Sequence, residues 1–249
     1  MKIQLIRNAA MKISYAGRTI LTDPMLSAAG AFRSFAGIAP NPTIDLPMAT
    51  DLILQGVEVA IISHLHPDHF DEAAALCLPK AMPVFCQPGD TAHLQEKGFS
   101  NVTAIETSCS WEGISITRTG GRHGSGKILE RLGNVSGFVL KSAGEPIVYW
   151  VGDSIWCEQV AEAIDMHKPD IIISHSGGAT LPGFDPIIMD AEQTVTMLGA
   201  APSAVVVAVH MESLDHCTVS RTMLRKVADS AGIVPSRLRI PEDGETLLF

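Results

Sequence analysis

Short apolar segments alternate with polar turns along the whole chain, and this pattern predicts a protein built from both strands and helices. Runs of about four to eight aliphatic and β-branched residues predict strands, and several are apolar throughout, which is typical of strands buried on both faces. The predicted strands are KIQLI, MKISY, RTILT, VEVAIISH, PVFCQ, NVTAIE, GISITRTG, SGFVLKS, PIVYWVG, DIIISH and AVVVAVH, with two short strands at the end of the chain.

Segments with helical periodicity fill several of the intervals between these strands. They are DEAAALCL, PGDTAHLQEKG, SIWCEQVAEAIDMH, the stretch from Asp190 to Leu198, and VSRTMLRKVADSAG. Asp190 and Gln193 have the spacing of a capping box, which favours a helix start at this point. We predict one domain over residues 1–249, because no Pro/Ser/Gly-rich or charged linker divides the chain.

Two segments have no steady period and are rich in proline and glycine, residues 24–49 and residues 177–188. A loop as long as the first is more often functional than idle in a compact domain. We therefore expect both segments to form walls of a pocket. Neither carries a cluster of Arg or Lys, and Arg33 alone is available to meet an anion, so a polyphosphate substrate is not expected.

The composition narrows the class of partner. The chain carries 18 Lys and Arg against 27 Asp and Glu, a formal charge of −9, and only 8 Phe, 3 Trp and 2 Tyr, which disfavours binding of nucleic acid. No apolar stretch is long enough for a membrane span or an export signal, so we expect a cytoplasmic protein. Five cysteines without a CxxC pair suit free thiols in a reducing compartment. The hydrophobic fraction of 46% would allow a homo-oligomer without requiring one.

A cluster of metal-binding residue types follows one buried strand directly. His64, His66, Asp68 and His69 lie within six positions in the order HxHxDH, which core packing does not explain. Residues two apart in an extended segment point the same way, so His64 and His66 can face one metal ion. The turn after Pro67 would let Asp68 and His69 face a second ion, whereas a loop whose histidines cap the next helix is the alternative interpretation.

Two ions need more ligands than these four, and three further candidates lie at or beyond the ends of later strands. His123 lies in Gly-Gly-Arg-His-Gly, Asp153 ends PIVYWVGD, and His210 ends AVVVAVH. Taken singly, each has an ordinary structural interpretation, as a turn histidine, a helix cap and a buried core histidine.

Taken together, HxHxDH followed by His, Asp and His resembles the metallo-β-lactamase superfamily of hydrolases, over nearly the whole chain. The opening Arg7-Asn8-Ala9, the strand ending Thr22-Asp23-Pro24, and His210-Met211-Glu212 with His216 look most like its uncharacterised lactamase-like, metal-dependent hydrolases. The resemblance implies an α/β fold, a four-layer αβ/βα sandwich of two mixed sheets flanked by helices. It also implies that His64, His66 and His123 bind the first metal, that Asp68, His69 and His210 bind the second, and that Asp153 bridges both.

A short internal repeat agrees with this resemblance. Ile-Ile-Ser-His occurs at residues 61–64 and again at residues 172–175, and each copy follows an earlier strand that ends in an aspartate, Asp23 or Asp153. The matched order suggests two related halves, although four apolar-strand residues could also match by chance. Asp23 is expected to hydrogen-bond to the ring nitrogen of a ligand histidine that faces away from the metal, and so to orient that imidazole.

The implied activity is hydrolysis by a hydroxide that bridges two divalent ions about 3.5 to 4 Å apart. Zinc is the expected metal, and manganese or iron would also suit ligands that are all His and Asp. The expected substrate is a small-molecule ester, lactone, amide or phosphodiester. The candidate catalytic groups are Asp68, at the metal site, with His175 on the rim of the active site and His216 as proton donors or substrate contacts.

A metal-binding sensor or scaffold of the same fold that does no chemistry is the alternative hypothesis. The complete set of seven ligand positions favours catalysis, whereas the loss of Asp68 or Asp153 would have favoured binding alone. An enzyme that degrades β-lactams is a third hypothesis. Such an enzyme would be expected to carry an export signal, and none is apparent in this sequence.

Overall fold

The computed structural model describes all residues, 1–249, and contains fourteen strands. Every strand predicted from the sequence is present, and the hairpin of SGFVLKS and PIVYWVG is confirmed. The strands are β1 (Lys2–Arg7), β2 (Ala10–Tyr15), β3 (Arg18–Thr22), β4 (Val59–Ile62), β5 (Val84–Cys86), β6 (Val102–Ala104), β7 (Ser108–Trp111), β8 (Ile114–Thr119), β9 (Gly137–Lys141), β10 (Val148–Trp150), β11 (Ile171–His175), β12 (Val205–Val209), β13 (Leu238–Arg239) and β14 (Thr246–Leu248).

Seven α-helices and one 3₁₀ turn, Gly126–Ile128, connect the strands. The five predicted helices are present, and the predicted cap is confirmed in part, since the Asp190 side chain accepts a hydrogen bond from the Gln193 N–H while the Gln193 side chain accepts one from Trp156. The helices are α1 (Thr50–Leu54), α2 (Glu72–Cys77), α3 (Thr91–Glu96), α4 (Leu129–Leu132), α5 (Glu158–His167), α6 (Ala191–Ala200) and α7 (Arg221–Ser230).

The pattern missed β7 and the two shortest helices, α1 and α4. Strand β7 has the sequence Ser-Cys-Ser-Trp, lies at a sheet edge and is nowhere buried, so it lacks the apolar run that predicts a strand. The two helices have five and four residues, which is too short for a helical period to show. No helix combines the length and apolar character that crossing a membrane requires.

The strands form two mixed sheets of seven, in the orders β14-β1-β2-β3-β4-β5-β6 and β13-β12-β11-β10-β9-β8-β7. In the first sheet, β1, β2 and β3 form an antiparallel meander and β3 to β6 are parallel. In the second, β7 to β10 are antiparallel and β10 to β13 are parallel. The equal size and similar layout of the sheets agree with the repeat of Ile-Ile-Ser-His, because the first copy begins in the last two residues of β4 and the second copy ends β11.

Three apolar layers hold the sheets and helices together. The inner faces of the two sheets pack on each other through residues such as Phe138 and Trp150. Helices α5, α6 and α7 cover the outer face of the second sheet, and α1, α2 and α3 cover that of the first. The result is the predicted four-layer αβ/βα sandwich. Burial of alternate strand residues on both faces is the main stabilising term.

The long loop of residues 24–49 contains no helix or strand, as predicted, and one buried guanidinium holds it to the sheet. Arg7, at the end of β1, is fully buried and donates hydrogen bonds to the backbone carbonyls of Met25, Ser27 and Ile44. These bonds add to the few backbone hydrogen bonds within the loop, such as those of the isolated bridge between Phe32 and Asn41. They fix the loop beside the edge where the candidate ligands lie.

Candidate metal centre

All seven predicted ligands converge at one edge of the two sheets. Strands β4, β8, β10 and β12 run in directions that bring their carboxyl ends to this edge, which is where ligand groups collect in sheets of this kind. The seven follow β4 (His64, His66, Asp68 and His69), β8 (His123), β10 (Asp153) and β12 (His210).

The first group of donors consists of His64, His66 and His123, whose ring nitrogens lie within 4.8 Å of one another. The His64 Nε2 and His66 Nδ1 atoms are 2.9 Å apart. Burial lowers the pKa of His64 well below its usual value and the pKa of His123 to about 4. These imidazoles are therefore neutral at pH 7, the form in which histidine binds a metal.

The second group consists of Asp68, His69 and His210. The Asp68 Oδ2 atom lies 3.3 Å from His69 Nε2 and 3.2 Å from His210 Nε2, and the two ring nitrogens are 3.3 Å apart. Three donor atoms this close together, all on buried side chains, could bind one metal ion.

Asp153 lies between the two groups. Its Oδ2 atom is 3.1 Å from His69 Nε2 in the second group, and 3.5 Å from His123 Nε2 and 3.9 Å from His64 Nε2 in the first. The side chain is almost fully buried. One carboxylate thus contacts both groups of donors.

His175 lies behind Asp153, and not on a rim as expected. It is 1% exposed, its Nδ1 is 2.6 Å from Asp153 Oδ1, and its Nε2 accepts a hydrogen bond of 3.0 Å from the Trp150 indole. Because an indole N–H can only donate, the proton of the neutral ring lies on Nδ1, facing the carboxylate. Both ring nitrogens are occupied, so His175 orients Asp153 and has no nitrogen free for a leaving group.

Four of the five predicted ligand histidines also have a partner at the ring nitrogen that faces away from the donor cluster. His64 Nδ1 is 3.0 Å from Ser63 Oγ, His123 Nδ1 is 2.9 Å from the Ile187 carbonyl, and His210 Nδ1 is 3.6 Å from Cys217 Sγ. His69 Nδ1 is 2.6 Å from Asp23 Oδ2, as predicted for Asp23. Such partners fix the tautomer and the orientation of each imidazole.

Backbone strain concentrates at this edge. Asn8, Asp23 and His210 have φ angles of 60°, 35° and 63°, a region that residues other than glycine rarely occupy. The Asn8 side chain donates to the Asp68 carbonyl, and the Asn8 carbonyl accepts from the His210 N–H. Asn8 therefore couples two ligand positions from opposite sheets. In the sequence, Asn8 was noted only because the Arg7-Asn8-Ala9 segment resembles that of the lactamase-like hydrolases.

His216 lies beside the cluster and belongs to neither group. It is 5% exposed and packs against the ring of Phe35. Burial lowers its pKa, while the charges of Asp68 and Asp153 act in the opposite direction. The last predicted site residue is thus near the carboxylates, with no direct hydrogen bond to them.

The charge of the site fits cations. Asp23, Asp68 and Asp153 are buried together, and none of them forms an ion pair with Lys or Arg. Only histidines balance them. Burial alone would lower the pKa of His210, but Asp153 and Asp68 raise it to about 10, which shows how strongly this pocket favours positive charge.

Comparison with known proteins agrees with this geometry. The Beta-lactamase superfamily domain matches residues 18–211. The UPF0173 protein YddR of Bacillus subtilis (strain 168) is 36% identical over 255 residues, with both chains covered completely. The structure of isothiocyanate hydrolase from Delia radicum gut bacteria is similar at a TM-score of 0.95 and 35% identity, covering 100% of this chain and 99% of that one. A possible metal-dependent hydrolase from Veillonella parvula DSM 2008 gives a TM-score of 0.96 at 34% identity, covering 99% and 98%. The chain therefore belongs to the beta-lactamase superfamily, has its fold and is a metal-dependent hydrolase.

Proposed function

We propose that the site holds two divalent ions and that the chain hydrolyses a small molecule with them. The observation that carries this proposal is the position of the Asp153 carboxylate, within 3.5 Å of one imidazole nitrogen from each donor group. When bound, the ions would lower the pKa of a water molecule and polarise the substrate. The proposed ligands are His64, His66 and His123 for one ion, Asp68, His69 and His210 for the other, and Asp153 for both.

The chain's own residues prepare this chemistry by fixing donor positions. His175 holds Asp153 in place, and Asp23 holds His69. No protein group donates a hydrogen bond to Asp68 Oδ1, and this oxygen is not sealed off in the interior. We assign Asp68 a second role as the acceptor of a hydrogen bond from the attacking water. Zinc suits these ligands best, and manganese or iron would also fit.

The substrate class to test first is the isothiocyanates. The support is the isothiocyanate hydrolase that is 35% identical over the whole of this chain. In this reaction water adds to the central carbon of R–N=C=S, a C–O bond forms, the C–N bond breaks, and both protons of water end on the nitrogen. The products are an amine and carbonyl sulfide. The reaction needs an activated water and no side-chain nucleophile.

The test combines metal analysis with a substrate panel. Purified protein is assayed for zinc, manganese and iron, and for turnover of alkyl and aryl isothiocyanates, lactones, phosphodiesters and thioesters, with and without chelator. We expect about two equivalents of metal and turnover that chelator abolishes and added metal restores. Tight metal without turnover on any substrate would favour the sensor or scaffold, and one equivalent of metal with full activity would contradict the dinuclear site.

Replacing Asp23 by asparagine is expected to weaken metal binding about 10- to 100-fold. Asp23 accepts from the Ser63 N–H at 2.7 Å and contacts Ser63 Oγ and His69 Nδ1 with its other oxygen. The NH2 group of asparagine would face one of these N–H or O–H groups, and the repulsion between two donors would turn the His69 ring. Affinity is measured by competition with a chromogenic chelator. The matched control is Asp170→Asn, which also removes an acceptor of a backbone N–H but lies far from the ligands, next to Ile147.

A further inference from the structure

One carboxylate outside the metal centre organises part of the long loop. Asp215 accepts hydrogen bonds from the backbone and side chains of a segment that we call the Asp215 loop, residues 34–39, and from the nearby Asn41 amide. Because residues 34–39 contain no regular secondary structure, this side chain replaces a backbone ladder. The donors are Phe35 N at 3.0 Å, Ala36 N at 3.2 Å, Ile38 N at 3.2 Å, Ala39 N at 3.3 Å, Asn41 Nδ2 at 2.8 Å and Ser34 Oγ.

These bonds keep Asp215 charged. Burial alone would raise its pKa, but the hydrogen bonds from Ser34, Phe35 and Asn41 lower the pKa well below its usual value. The loop is therefore held in place at neutral pH by donors that converge on one anion.

The Asp215 loop places an aromatic ring on His216, the next residue after its anchor. The rings of Phe35 and His216 meet edge to face, with centroids 4.9 Å apart and an angle of 79°. Phe32 packs on the other side of Phe35 at 5.6 Å. An apolar wall thus stands next to His216 at the edge where the metal ligands lie.

His216 itself has an unexplained polar atom. Its Nδ1 is buried and has no hydrogen-bond partner in the protein. Buried polar atoms without partners are rare and unfavourable, so such an atom points to a partner that the polypeptide does not supply. The next residue in the chain, Cys217, has its Sγ atom 3.6 Å from His210 Nδ1, so His216 lies beside the second donor group.

We infer that Phe35 and His216 recognise the substrate of the proposed hydrolase, Phe35 by contact with an apolar substituent and His216 by a hydrogen bond from or to its Nδ1. This inference rests on the proposed function. The inferred substrates are molecules in which an alkyl or aryl group adjoins a polar, electrophilic centre. Asp215 is the positioning residue, since it acts only through the loop.

Kinetics with two isothiocyanates separate these roles. For Phe35→Ala we expect kcat/KM to fall about tenfold with phenethyl isothiocyanate and less than about threefold with methyl isothiocyanate, because only the larger substituent reaches the ring. For His216→Gln we expect a rise in KM of about tenfold with both substrates and unchanged metal content. The matched controls are Phe249→Ala, at the chain end, and His93→Gln, on the exposed face of α3.

A binding experiment tests the same wall without turnover. Calorimetry with phenethylamine and methylamine measures contact with the substituent, since any contact of the amine with metal is common to both probes. We expect Phe35→Ala to weaken phenethylamine binding about tenfold and to leave methylamine unchanged. Equal affinities for wild type, Phe35→Ala and His216→Gln would overturn the inference. A wild type that binds phenethylamine through Phe35 but hydrolyses no isothiocyanate would instead contradict the isothiocyanate substrate alone, and a wild type without turnover on any substrate of the panel would contradict the proposed hydrolase.

Hydrogen exchange tests the role of Asp215. In Asp215→Ala both acceptor oxygens are lost, so we expect the amides of Phe35, Ala36 and Ile38 to exchange at least about tenfold faster. We also expect the discrimination between the two isothiocyanates or the two amines to shrink. Unchanged exchange at these amides would show that the carboxylate does not hold the loop.

Discussion

Replacing Asp153 by alanine is expected to remove metal and activity together. Asp153 is 2% exposed, and its carboxylate is the group that contacts both donor groups. Without it, each ion would lose a ligand and the site would lose one of its three buried negative charges. We expect loss of at least one equivalent of metal, measured by elemental analysis, and a fall in kcat/KM of more than about 10³-fold.

Asp165→Ala is the control for this substitution. Asp165 is an exposed aspartate on α5 whose partner is Lys168 on the same surface, and such solvent-screened pairs contribute little to stability. Its removal should leave metal content and activity unchanged. His66→Ala, in the first donor group, should resemble Asp153→Ala in losing metal. Full metal content in both Asp153→Ala and His66→Ala would contradict the ligand assignment.

The convergence of the seven predicted ligand positions could be predicted from the sequence because four of them form one motif and the order of the other three completes a resemblance to a known family. His64, His66, Asp68 and His69 are concentrated in one short motif, and His123, Asp153 and His210 each stand at or just beyond the end of an apolar strand. Strand ends that share an edge bring such residues together whatever the loops do. Several strands, such as β4 and β11, were predictable because burial on both faces favours an apolar run.

The role of His175 could not be predicted in this way. Its sequence position, at the end of β11, is equally compatible with a place on the rim and with a place behind Asp153. The choice depends on the Trp150 indole, which lies in the neighbouring strand β10 and occupies the Nε2 atom. The direction of a side chain at a strand end is set by its neighbours across the sheet, and a single sequence does not pair them.

The anchoring of the long loop could not be predicted from the sequence either. The hydrogen bonds of Asp215 join residues separated by 174 to 181 positions, and a lone aspartate near a histidine has no distinguishing pattern. Cys217, whose Sγ atom faces His210 Nδ1, cannot be told from the other cysteines by its place in the sequence. Contacts of this kind depend on how two sheets pack and on how one loop crosses their edge, so they follow from the fold and not from local residue order.

Replacing Gly177 by alanine is expected to damage both stability and the second donor group. A Cβ atom at Gly177 would lie 1.9 Å from the His210 carbonyl oxygen and 3.1 Å from Cys217 Sγ. The φ angle of Gly177 is not in the left-handed region, so the backbone would accept alanine and only this contact forbids it. The His210 backbone would have to move by more than about 1 Å to reach an ordinary contact distance. We expect a loss of about 3 kcal/mol or more in the free energy of unfolding and a lower Tm by about 6 to 12 °C.

Gly199→Ala is the matched control, because it adds the same methyl group where nothing lies within 4 Å. Gly199 is exposed in α6, and alanine is favoured over glycine in helices, so this variant should be as stable as the wild type or more stable by up to about 1 kcal/mol. Thermal unfolding compares the two, and chelator competition then reports the state of His210. Gly177→Ala should bind metal more weakly even well below its Tm, because a ligand displaced by about 1 Å no longer meets Asp68 and His69. Equal Tm and equal metal affinity in the two variants would mean that residue 177 does not approach the His210 carbonyl as closely as the structure shows. This result would contradict the role of Gly177 in positioning His210.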